Sequence, residues 1–297
     1  MHSRKHLGGF LLLSFLWGST WAAIRVSVEH MPVLRSVALR FLIASVVLLA
    51  GMKWRREALP PLREWPTLVG FSLLTIVIPF CIIGWSAGRV STGLTSILFS
   101  ASPLVVLVLE VVASAPSHRR RLSRGVLVGL VCGIIGIMCV MHSTRSSSSQ
   151  IGGVAAIVLV VFLGSWSSIT AQKHLRHLPP LTVSGCLSVS AAVLIGLASL
   201  LFDRGKSTRW DISAVEAILF LGIFSSAVGF FLFYWLLREV RPYTLASRYF
   251  LMPVVAVSEG VIFLDEAISP SLVLGAILIL GSLVPVLQER KASFGTE

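Results

Sequence analysis

Charge is scarce in this chain, and acidic charge scarcest. Asp and Glu together number 13 in 297 residues, against 25 Lys and Arg. Charged residues make up 13%, where an average soluble domain carries roughly 25%. A chain this poor in charge cannot cover an ordinary soluble surface. Cysteine is rare too. Cys81, Cys132, Cys139 and Cys186 form no CxxC pair, which excludes a disulfide framework and a zinc module. They read as small apolar packing residues. Enzyme signatures are missing: HExxH, GxSxG, P-loop and GxGxxG are all absent. The seven histidines, His118, His142, His174 and His177 among them, lack metal-ligand spacing. No enzyme, metal or cofactor is implied, and any active transport must draw on a gradient.

What fills the chain is apolar. Hydrophobic residues make up 55%, and they fall in long runs. Ten runs approach the ~20 residues that span a bilayer as a helix. They lie at about 7–26, 32–52, 65–86, 90–113, 124–142, 151–171, 180–202, 212–236, 243–264 and 270–288. The fold class expected is an all-α membrane protein of ten transmembrane helices. The first run follows basic residues, as a signal peptide would. It lacks a small-x-small cleavage site and matches the start of the second half, so it reads as span 1.

The chain repeats itself. Phe80, Trp85, Val90, Pro103 and Val105 recur as Phe230, Trp235, Val240, Pro253 and Val255, a shift of 150. Gly18-Ser19 recur as Gly164-Ser165, and Ser123 and Gly129 as Ser269 and Gly275, a shift of 146. Loops of different length account for the change. Residues 1–142 form a first five-helix repeat, 143–150 a Ser-rich linker and 151–297 a second repeat. Five is odd, so the second repeat enters the membrane from the opposite side. Inverted repeats give two mirror-like states around a central site, the basis of alternating access.

With a cytoplasmic N-terminus, the inner loops and ends hold sixteen Lys/Arg, including Arg119-Arg120-Arg121, and the outer loops seven. This positive-inside bias explains the net charge of +12 and implies membrane lipid, not nucleic acid, as partner. It places the chain as a multi-pass protein of the inner (plasma) membrane with both termini cytoplasmic.

The stretches Leu16-Trp17-Gly18-Ser19-Thr20-Trp21, Leu39-Arg40-Phe41-Leu42-Ile43-Ala44, Ser102-Pro103-Leu104, Met252-Pro253-Val254 and Phe263-Leu264-Asp265-Glu266, with Gly275 after them, occur in that order. With ten spans in two halves, the chain resembles the EamA-like drug/metabolite transporters over nearly its whole length. The resemblance implies an inverted five-plus-five fold, a central cavity and export of small metabolites, often amino acids. The family's acidic residue after span 4 is missing, and Pro116-Ser117-His118-Arg119 stands there.

An ionisable residue inside a span costs roughly 2.5–3.5 kcal/mol on insertion scales and persists where it pairs or lines a cavity. Four such residues stand out: Arg40, Glu110, Arg248 and Glu259. Arg248 suits a substrate carboxylate, which guanidinium grips through two hydrogen bonds, or else pairs with Glu110 or Glu259. Those two glutamates serve either as carriers of a coupling proton or as static partners. Arg40, part of the family-like stretch, reads as structural. On span 9, Arg248, Met252, Val255 and Glu259 are spaced to share a helical face, as are Ser96, Phe99, Pro103, Val106 and Glu110 on span 4.

Aromatic residues fit an apolar-walled small-molecule site. Candidates are Trp17, Trp21, Trp85, Trp166, Tyr234, Trp235 and Phe99, with Thr20, Ser96, Ser168 and Ser226 as polar contacts. Trp54, Trp65 and Trp210 suit the membrane interface. Pro103 and Pro253 are repeat mates that can bend their helices. Gly125, Gly129 and Gly133 form a small-residue stripe for packing or for a homodimer. The function expected is a secondary active exporter of a small metabolite, an amino acid for choice. The alternative is an exporter of cationic drugs or lipophilic toxicants, held by the glutamates and the Trp faces.

Overall fold

A computed structural model describes residues 4–112, 128, 131–132, 135, 148–240, 242–264 and 270–281. Gly125, Gly129 and Gly133, positions 143–147 of the linker, and Asp265 and Glu266 lie outside the described residues. So does most of span 5. Among the described residues the chain is helical, without strands. Seven helices are long and apolar enough to cross a membrane: α1 (Lys5–His30), α2 (Val33–Arg55), α3 (Leu62–Ala87), α4 (Thr92–Glu110), α5 (Ser149–Leu175), α6 (Pro180–Phe202) and α7 (Ile212–Glu239). Two shorter ones follow, α8 (Met252–Leu264) and α9 (Pro270–Gly281). Helices α1 to α4 cover spans 1 to 4, and α5 to α7 cover spans 6 to 8. Helix α8 is the second part of span 9, and α9 falls on span 10.

Large apolar side chains cover the outside. Phe202, Phe263 and Ile262 are 69%, 73% and 67% exposed. In water such a surface would aggregate. Beside lipid chains it costs nothing, and only closed backbone hydrogen bonding is required, which helices supply. The protein is therefore a multi-pass membrane protein.

The helices pack in pairs that exchange of the two halves maps onto one another. Helix α2 packs on α6 and α4 on α8, each with its own repeat mate. Helix α1 packs on α7, and α5 on α3. The buried stripe of α2, Val37, Phe41, Ala44, Leu48 and Met52, meets Val183, Cys186, Leu187 and Ala191 of α6 in one core. Two glycines of α7 mark close approaches. A Cβ on Gly222 would come within 2.7 Å of Ile43, and one on Gly229 would collide with the Trp17 indole nitrogen.

Four irregularities interrupt the spans. Leu73–Val77 in α3 and Phe220–Val228 in α7 are π-helical, and the repeat shift of 150 carries 73–77 onto 223–227. Span 4 breaks at Ser100-Ala101, between segments Thr92–Phe99 and Ser102–Val112. Span 9 breaks at the matching place, where Pro242–Ala246 and a 3-10 turn at Ser247–Phe250 precede Met252. Both breaks lie two residues before a proline, Pro103 or Pro253. This corrects the single helical face read for span 9. Arg248 lies in the 3-10 turn, outside α8, whereas Glu259 lies within α8.

At one end of the molecule, polar groups tie the α1–α2 turn to the α6–α7 loop. Arg35 donates to Thr208 Oγ1 at 2.5 Å and to the Asp203 carbonyl at 2.9 Å. Arg209 donates to the carbonyls of His30 and Glu29. His30 lies 3.0 Å from Asp211, whose carboxylate caps α7 at the Ala214 amide.

Candidate functional site

Helices α1, α2, α3, α5 and α7, the Thr92–Phe99 segment and the broken region of span 9 enclose a central cavity. The space open to the centre of a water-sized sphere is about 100 Å³. A single water needs roughly 10–15 Å³ on that measure, so the cavity takes a small organic molecule. One wall is aromatic: Trp17, Trp21, Phe80, Phe99, Phe230, Phe233, Tyr234 and Tyr249. The facing strip on α5 is small and hydroxylated: Gly164, Ser167, Ser168 and Ala171. Ser168 spends its proton on the Gly164 carbonyl of its own helix, which leaves its lone pairs to the cavity.

Two arginines line this cavity, Arg40 and Arg248, 2% and 3% exposed. The carboxylates in ion pairs among the described residues are Glu29, Glu64, Asp203 and Asp211. None of them reaches either arginine. Glu259 is not in an ion pair with either arginine among the described residues. Arg40 donates from Nε to Ser226 Oγ at 2.6 Å and from one terminal nitrogen to Ser225 Oγ at 2.8 Å. Its guanidinium lies 4.4 Å from the centre of the Phe80 ring. Ser225 also bonds Thr20 Oγ1 at 2.6 Å, and its carbonyl accepts from Trp17 Nε1 at 3.0 Å. The π segment makes this arrangement available, since a wide turn turns side chains and carbonyls away from a regular ladder.

Arg248 is held by less. It donates to the Leu245 carbonyl and to the Tyr249 hydroxyl, both at 2.9 Å. Its Nε is buried with no hydrogen-bond partner, as is Trp21 Nε1. Three rings surround its charge: Tyr249 at 4.2 Å, Trp17 at 4.8 Å and Phe233 at 5.2 Å. A smaller cavity of about 20 Å³ adjoins, also lined by Arg248, Gly164 and Ser168.

Of the residues picked out from sequence, Arg248, Arg40, Trp17, Thr20, Trp21, Phe99, Ser168 and Tyr234 meet at this cavity. Trp85, Trp166, Trp235 and Ser96 do not. Trp85 is 42% exposed and stacks on Arg89, Trp166 is 43% exposed, and Trp235 packs beside His6. Ser96 is fully buried away from the cavity. Glu110 and Glu259 do not line it either; Glu259 is partly buried beside Ser19 of α1. Sequence reasoning missed Ser225, Phe80, Phe230, Phe233, Ser167 and Tyr249. Phe80 and Phe230 carried a signal, since they are repeat mates.

A helical bundle with a central, aromatic-walled and cationic cavity in the membrane is the architecture of a small-molecule transporter. The model of the EamA-like transporter family matches residues 6–142 and again 151–288. The chain belongs to this family, as its motifs suggested. It is 25% identical to the uncharacterized transporter YoaV of Bacillus subtilis (strain 168), over 93% of this chain and 94% of that one. It is 27% identical to the uncharacterized inner membrane transporter YedA of Escherichia coli (strain K12), over 93% and 89%. A protein of Salmonella typhimurium named a probable amino-acid metabolite efflux pump is 24% identical over 95% and 94%. A crystal structure aligns with a TM-score of 0.71 at 20% identity, over 96% of this chain and 99% of that one, and shows the shared fold.

Proposed function

We propose that the protein is a secondary active transporter that exports a small carboxylate-bearing metabolite, an amino acid, by alternating access around the central cavity. In this reading it sits in the inner (plasma) membrane with both termini cytoplasmic. Its ten spans form two inverted repeats, 1–142 and 151–297, joined by residues 143–150. The pairing of α2 with α6, α4 with α8, and α1–α7 with α5–α3 supports that symmetry. The name of the Salmonella relative and that of YedA point the same way.

The observation that carries the proposal is Arg248: a buried guanidinium on the cavity wall with a free N–H and no carboxylate partner among the described residues. A carboxylate substrate would supply both the missing charge and the missing acceptor. Glu259, beside α1 but off the cavity, is the group assigned to proton coupling. The cationic-drug alternative loses support here. Among the described residues the cavity lining contains no carboxylate, and the aromatic faces of Trp17, Phe233 and Tyr249 are taken by Arg248 itself.

Thermal unfolding of the purified protein in detergent, with amino acids and organic cations as ligands, tests the reading. A ligand at about 100 times its Kd stabilises by about 2.7 kcal/mol. Amino acids should raise the midpoint of the wild type and not that of Arg248→Ala. A rise with cations alone would overturn the proposal. In proteoliposomes, saturable counterflow is expected, and proton-driven flux should be lost in Glu259→Gln.

A further inference from the structure

Among the described residues, the cavity lining holds two positive charges and no negative one. Arg40 and Arg248 are each at least 97% buried, on different helices, and both line the same space. One residue joins them. Trp17 gives its ring face to Arg248 and its N–H to the carbonyl of Ser225, whose hydroxyl accepts from Arg40. The two guanidinium groups therefore flank the Trp17 side of the site. Each keeps donor capacity. Arg248 has its unpartnered Nε. Arg40 commits Nε and one terminal nitrogen to serines, and its other terminal nitrogen makes no hydrogen bond among the described residues.

A single carboxylate would answer one of these charges. The second would stay uncompensated in a low-dielectric enclosure, where a lone charge is most costly. A cavity with two guanidiniums and no acid is balanced by a ligand with two negative charges. The small wall opposite, with Gly164, Ser167 and Ser168, offers hydroxyls and room but no charge to oppose such a ligand.

Resting on the reading of Arg248 as the carboxylate-binding residue, we infer that the substrate is dianionic: a compact molecule with two acidic groups, one bound by Arg248 and the other by Arg40. Arg40 is thus a specificity-determining residue for net charge, as well as a structural one. The second acidic group is a carboxylate or a phosphate monoester. An ammonium group is not required, because no lining side chain among the described residues is an acid that would pair with it.

Near-isosteric ligand pairs test this without any variant. Binding of glutamate against glutamine, and of succinate against succinamate, should be compared by thermal shift or calorimetry on the full-length protein in detergent. The acid should bind about tenfold or more tightly than the amide, the effect of one added charge-assisted contact. O-phosphoserine beside glutamate then tells which acidic group fits; tighter binding of either supports a two-charge ligand. In Arg40→Gln, whose amide still reaches toward the serines, the acid-to-amide affinity ratio should fall to about one. If that variant fails to fold, the wild-type ratio decides alone. Glutamine binding as tightly as glutamate would overturn the inference and leave the Arg248 reading intact. Binding of no carboxylate of either kind would overturn both.

Discussion

Arg40 and Arg248 face one cavity and are held in opposite ways. Arg40 is locked: two serines of the α7 π segment accept from it, and those serines are themselves tied to Thr20 and Trp17 of α1. Arg248 sits in a 3-10 turn, held by one carbonyl and one phenol within a ring of aromatic faces, with a donor left over. The first arginine is a strut that joins three helices. The second is a hand waiting for an acceptor. Burial alone does not sort structural from binding charges inside a membrane: Arg40 commits two donors to anchored serines and keeps one, whereas Arg248 is held by one carbonyl and one phenol and keeps its Nε.

Removing each arginine in turn from the ligand-free protein separates the two roles. Arg40→Ala opens a buried cavity and takes from Ser226 its guanidinium partner, while Ser225 keeps Thr20, so it should cost about 2–5 kcal/mol of stability. Arg248→Ala should leave the midpoint without ligand nearly unchanged and abolish the ligand response. Denaturant or thermal unfolding in detergent reads both, and the reverse ranking would dissolve the distinction.

A smaller effect sharpens it. Ser225→Ala leaves a terminal nitrogen of Arg40 without its acceptor, which should cost about 1.5–3 kcal/mol. Ser168→Ala removes only a bond within its own helix and should barely move the unfolding midpoint. On the side of Arg248, Tyr249→Phe takes away one of two acceptors. Ligand affinity should fall by about tenfold or less with the fold intact, as calorimetry would record.

The smallest effect lies away from the cavity. The Ala214 amide, then the Ser213 hydroxyl, hold the Asp211 carboxyl below the usual carboxylate range. A depressed acid stabilises the fold fully above the ordinary aspartate pKa of about 4 and loses that contribution as pH falls through its own lower value. Acid titration of the unfolding midpoint should therefore show a small loss at the acid end, absent in Asp211→Asn, whose amide oxygen still accepts from Ala214.

Most of the bundle was legible because a bilayer imposes a length on apolar runs, and that length is written residue by residue. The prolines marked the broken spans, since Pro103 and Pro253 cannot continue a hydrogen-bond ladder. The face drawn through Arg248 and Glu259 failed for the same reason: periodicity assumes an unbroken helix, and the 3-10 turn at Ser247–Phe250 intervenes. The seat of Arg40 was illegible. Ser225 and Ser226 are more than 180 residues away in sequence, and nothing in Phe220–Val228 announces a π segment. Tryptophan divided by direction. Trp17 and Trp21 turn into the cavity, while Trp85 and Trp166 turn out, where an amphipathic ring suits the lipid boundary equally well.

The two π segments also carry a date. A π turn accommodates one surplus residue in a helix, and such turns are rare outside functional sites. Here one falls in each half, at positions related by the same offset of 150 that relates Phe80 to Phe230. The same family model matches both halves. A single insertion inherited twice is the economical history. Duplication of one unit that already carried the surplus residue accounts for both segments with one event.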